Sequence, residues 1–77
     1  MTQLELNQLN VEINTKFSTQ YRKIWVQRTR LGSIVITLFP IGIGQYDIIT
    51  SKFFKDWNID GISHLISNNK FTNLLNR

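Results

Sequence analysis

Apolar residues recur every three or four positions at the start of the chain: Leu6, Leu9, Ile13 and Phe17, with Tyr21 continuing the row. That spacing places them on one face of a helix. Leu9, Val11 and Ile13 also alternate as a strand would, so the start signal decides. Thr2 followed by Glu5 forms a capping-box pattern, in which hydroxyl and carboxylate each answer the other residue's amide. A helix is predicted from Gln3 to Lys16 or beyond, although Asn7, Asn10, Asn14 and Thr15 are weak helix formers.

The period then shortens. Ile24–Arg30 and Ser33–Phe39 are rich in strand formers, and Arg30-Leu31-Gly32-Ser33 between them supplies a turn. Gly32 can take the positive φ that a type II turn or a G1 bulge needs. This hairpin would set Arg28 opposite Val35, Val26 opposite Thr37 and Trp25 opposite Leu38. The second strand is apolar on both faces, as a central strand covered on both sides would be. Pro40-Ile41-Gly42 breaks it, and a third strand is expected from Ile43 to Ile49.

The final third reads as helical. Ser51 is an N-cap candidate before Lys52–Trp57, with Phe53 and Trp57 sharing the buried face and Phe54 left to the side. Asn58 would stop that short helix, and Asp60 would cap a second one carrying Ile62, Leu65 and Ile66. Phe71, Leu74 and Leu75 form a last apolar set. The expected fold is therefore a single α+β domain over residues 1–77: an N-terminal helix, a two- or three-stranded antiparallel sheet and short C-terminal helices.

Composition narrows the function. A 77-residue chain buries only about 60% of its unfolded surface, so its stability is marginal or completed by a partner. There is no cysteine, which excludes disulfides, thiolate metal sites and a cysteine nucleophile, and fits a cytoplasmic location. There is no alanine, but 11 isoleucines and 8 asparagines. Such a bias suggests AT-rich coding, as in a phage or mobile element. The N-terminus lacks the basic and apolar regions of a secretory signal. The uncharged run from Leu31 to Gly44 is short of the roughly 20 residues that a spanning helix needs.

Catalytic and metal chemistry find little support. His64 is the single histidine, and Ser63 beside it would point elsewhere on a helix. The carboxylates Glu5, Glu12, Asp47, Asp56 and Asp60 show no ligand spacing, and Gly42-Ile43-Gly44 lacks the rest of any phosphate-binding loop. No catalytic residue, metal or cofactor is assigned.

Charge gives the strongest signal. Lys16, Arg22, Lys23, Arg28 and Arg30 are five of the nine basic residues and lie in residues 16–30, which contain no acid. Phe17, Tyr21 and Trp25 interleave with them. Clustered cations suit phosphates, and aromatic faces beside them suit unpaired bases. Strict alternation would put Arg22, Arg28 and Arg30 with Ile24 and Val26, and Trp25 with Lys23 on the other face. Either face could be the wet one. The plainer alternative is a charged edge strand that resists sheet-to-sheet pairing.

The sequence thus points to a non-enzymatic binding module. Its expected partner is nucleic acid or a nucleoprotein, met through Lys16, Arg22, Lys23, Arg28 and Arg30. The alternative is an inhibitor or accessory subunit that meets an acidic protein surface, with Trp25 and Phe54 at the interface. Homodimerisation through a strand edge is compatible with both.

Overall fold

The computed structural model describes residues 1–68. Five elements follow in order: helix α1 (Gln3–Lys16), strands β1 (Tyr21–Arg28), β2 (Ile34–Pro40) and β3 (Asp47–Ser51), and helix α2 (Ile59–Asn68). The strands form one antiparallel sheet in the order β1-β2-β3. This is the expected α+β class, with three strands. Phe71, Leu74 and Leu75 lie outside the described residues.

Helix α1 begins where its capping box places it. The Thr2 hydroxyl accepts from the Glu5 amide at 3.1 Å, and the Thr2 amide donates to the Glu5 carboxylate at 3.2 Å. The amide and hydroxyl of Thr2 hold the Glu5 carboxyl below its ordinary 4.5. Asn10 and Asn14, weak helix formers, have a different task. Each turns its side-chain amide onto the outer edge of β1: Asn10 Oδ1 accepts from Val26 N–H at 2.8 Å, and its Nδ2 donates to Val26 C=O at 3.0 Å. Asn14 does the same to Ile24. The two amides satisfy the backbone groups that a neighbouring strand would otherwise take.

The core lies between the sheet and the two helices. Leu6, Ile13 and Phe17 of the α1 side meet Tyr21, Ile24 and Val26 of β1, Ile34, Ile36 and Leu38 of β2, and Ile62 and Ile66 of α2. The other face of the sheet is open. On β2 the expectation of cover on both sides is corrected: Ile34, Ile36, Leu38 and Pro40 are buried, whereas Val35, Thr37 and Phe39 are only half-buried.

The hairpin register is also corrected. Arg28 pairs with Ile34, Val26 with Ile36 and Trp25 with Thr37, one residue away from the expected pairing. The cause is a longer loop. Thr29 N–H donates to Ser33 C=O at 2.9 Å, and Gly32, at φ +80°, donates to Thr29 C=O at 3.2 Å. Arg30 therefore belongs to the loop, not to the strand.

Two further expectations change. The third strand starts at Asp47, not Ile43, because the chain turns through Gly42 at φ +80° first. Residues 52–57 form no helix; Phe53 holds φ +56° instead. Asn58 starts α2 rather than stopping a helix: its Oδ1 accepts from Gly61 N–H at 2.7 Å, and its carbonyl accepts from Ile62 N–H at 3.1 Å. Asp60 falls in the first turn, where a carboxylate suits the helix dipole.

Candidate nucleic-acid interface

The open face of the sheet is built in rows. Trp25, Thr37 and Ile48 lie opposite one another across the three strands, as do Gln27, Val35 and Thr50. Lys23 faces Phe39 in the row beyond. Tyr46, just before β3, packs on the Phe39 ring at 5.8 Å between centroids. Trp25 is 51% exposed, Tyr46 55% and Ile48 44%. Phe39 lies beneath, half-buried.

Arg22 reaches this face because the ladder slips. Strict alternation would turn Arg22 inward with Ile24. A register shift between Tyr21 and Lys23 lets Tyr21 take the inward position. The Arg22 guanidinium then lies 5.5 Å from the Phe39 ring centroid. A cation over an aromatic face is held by the ring quadrupole. Phe39 thus supports both Arg22 and Tyr46.

The face carries Arg22 and Lys23 but no acid. Glu5 and Glu12 are on α1, Asp60 on α2 and Asp56 in the segment before it. Asp47 is buried on the inward side of β3, opposite Leu38.

The other basic residues do not join this pair. Lys16 donates to Ser63 Oγ at 3.0 Å and lies over the Phe17 ring, on the helical layer. Arg28 and Arg30 line a shallow depression of about 320 Å³ at the hairpin end with Thr29 and Gly32. The five cations of residues 16–30 are split three ways. What sequence reasoning missed here is Tyr46, Phe39 and Ile48, which approach Trp25 and Lys23 only through strand pairing. Alternation did place Trp25 and Lys23 together, and theirs is the wet face.

Phe54, expected at a protein interface, is instead half-buried against the core, edge-on to Trp57 at 5.1 Å. The Trp57 indole donates to Phe54 C=O at 2.9 Å. The exposed aromatic of residues 52–57 is Phe53, at 76%, which corrects its expected place on the buried face with Trp57. With Leu31, Ser33 and Lys52 it lines an apolar depression of about 330 Å³.

His64 is exposed on α2, its Nε2 2.9 Å from Asn68 Nδ2. Among the described residues no group of His, Cys, Asp and Glu could hold a metal ion, and no helix is long and apolar enough to cross a membrane. Comparison with known protein families, curated proteins and solved structures finds no match.

Proposed function

We propose that this chain is a non-enzymatic module that binds nucleic acid, alone or within a nucleoprotein, through the open face of its hairpin. The observation that carries this reading is the placement of Arg22, Lys23 and Trp25 on one acid-free, solvent-facing surface. Cations attract phosphates, and the missing acids leave that attraction unopposed. Arg28 and Arg30 lie at the hairpin end and add a more distant positive field.

Fluorescence anisotropy with labelled DNA and RNA tests this. Binding at low salt should weaken as salt rises, and Arg22→Gln with Lys23→Gln should weaken it more than Arg28→Gln with Arg30→Gln. Failure to bind any nucleic acid at low salt overturns the proposal.

A second reading, a protein-interaction factor, rests on a separate observation. Leu31 is 83% exposed and Phe53 76%, and they border one apolar depression with Lys52. A partner offering an apolar anchor and acidic flanks would complement it. A pull-down from the native host that recovers no stoichiometric protein counts against this reading.

A further inference from the structure

Within the nucleic-acid reading, on which this step rests, we infer that the open face takes unpaired bases, so that its ligand is single-stranded. Among the described residues, Trp25 and Tyr46 are the two large rings more than half exposed on that face. Trp25 is a strand residue paired with Thr37, and Tyr46 is the last loop residue before β3, next to the Asp47–Leu38 pair, so the ladder fixes one backbone support and adjoins the other. Phe39 packs against the Tyr46 ring and carries the Arg22 guanidinium over its own ring. Lys23, directly opposite Phe39, completes a cationic margin next to the rings.

The balance of charge and rings favours single strands. Duplex binding leans on many phosphate contacts, because the base faces are sealed inside the stack. Of the five cations in residues 16–30, this face holds Arg22 and Lys23, with Lys16, Arg28 and Arg30 placed elsewhere. Two cations alone give weak electrostatic binding, and the rest of the affinity must come from another source. Exposed rings provide it when bases are unpaired, since every base has a face to stack. Reading a duplex groove also calls for a protruding helix or ribbon. The open face is instead the flat side of a sheet whose helices lie behind it. One base would stack on Trp25 and a neighbouring one on Tyr46, with the connecting phosphates at Arg22 and Lys23. Gln27, Thr37 and Thr50, on the same face, offer hydrogen-bonding groups that tolerate any base.

The experiment titrates the full chain against labelled oligothymidylate, oligouridylate and a duplex of equal length, about ten nucleotides. Tryptophan emission and anisotropy are followed together, and sedimentation velocity is run in parallel. Both single strands should bind more tightly than the duplex and quench emission. The logarithmic salt slope should be near −1.4, about −0.7 for each of two phosphates. Trp25→Ala should weaken single-strand binding roughly 5- to 150-fold and abolish the quench, while Trp25→Phe keeps most of the affinity. Trp25 is solvent-exposed, so an unchanged circular dichroism spectrum will show that these variants fold. Preference for one of the two single strands assigns DNA or RNA and still supports the inference. Equal or tighter duplex binding without quenching overturns it and leaves the nucleic-acid function standing. No binding to any probe overturns both. A concentration-dependent dimer lost in Trp25→Ala also overturns it, assigning the face to a second copy of the chain.

Discussion

Asn14 occupies the place of a neighbouring strand beside Ile24. Its Oδ1 accepts from Ile24 N–H at 2.8 Å, and its Nδ2 donates to Ile24 C=O at 2.7 Å. Asn10 repeats the pairing at Val26. An amide is the one small side chain that can donate and accept in the same plane as a peptide. Asn14→Ala should therefore cost about 1–3 kcal/mol, since both Ile24 groups lose their partner. For a domain of this size each kcal/mol lowers the melting temperature by about 4–8 °C. Asn14→Asp should be no better than alanine, because a carboxylate accepts from the N–H but faces the carbonyl without a proton. The double variant Asn10→Ala, Asn14→Ala should also self-associate in sedimentation, because the β1 edge is then unpaired. A double variant that stays monomeric at wild-type stability refutes the edge role.

This pairing explains both what the sequence disclosed and what it hid. The start of α1 was legible because the Thr2–Glu5 capping box is local. The task of Asn10 and Asn14 was not, because their partners lie 16 and 10 residues away, and coding bias was explanation enough for many asparagines. The hairpin was legible from its strand formers, but its register turned on a loop hydrogen bond from Thr29 to Ser33 that no spacing rule dictates. A one-residue slip of this kind changes every cross-strand pair. The basic run was legible as a count, but its division among three surfaces came from a bulge at Arg22 and a helix–helix contact at Lys16. In residues 52–57 the Phe53–Trp57 spacing resembles a helical face, whereas Phe53 leaves the helical region altogether.

Gly61 marks where the 52–57 segment presses on α2. A Cβ at this position would collide with the Asp56 carbonyl oxygen and side chain, and backbone atoms cannot swing aside as a side-chain tip can. Gly61→Ala improves intrinsic helix propensity by about 1 kcal/mol, which in an open helix would stabilise. Here the steric cost should win. Overpacking of this sort typically costs about 1–3 kcal/mol, so chemical denaturation should give a lower midpoint with an unchanged slope. A raised midpoint would show that the Asp56 contact yields freely.

Tyr21 should make the fold sensitive to alkali. Burial raises its hydroxyl above the ordinary 10.0, and the charge of Asp47 pushes in the same direction. The folded state therefore keeps a proton that the unfolded chain has already released. With fewer protons bound in the unfolded state, stability falls as pH rises. The Tyr21 contribution is fully present below 10.0 and is lost as pH climbs through the higher folded value. Denaturation series across that range should show the downward slope, and Tyr21→Phe should remove the part due to this group. An equally steep slope in Tyr21→Phe would place the alkaline sensitivity elsewhere.

Phe53 separates stability from binding. It sits at φ +56° with 76% of its surface exposed, so it bears backbone strain with little burial in return. Holding a residue other than glycine in the left-handed region costs about 1–2 kcal/mol, and asparagine tolerates it better than a bulky aromatic does. Phe53→Asn should leave the melting temperature unchanged or raise it by a few degrees, about 4–8 °C for each kcal/mol relieved. Strained backbone positions cluster at ligand clamps and functional sites, and exposed aromatic rings are common interface anchors. If the apolar depression beside Leu31 is a docking point, the same substitution should weaken a captured partner while single-strand binding through Trp25 stays intact. A clear loss of stability in Phe53→Asn would mean instead that the ring supports the fold, and would remove the case for a second surface.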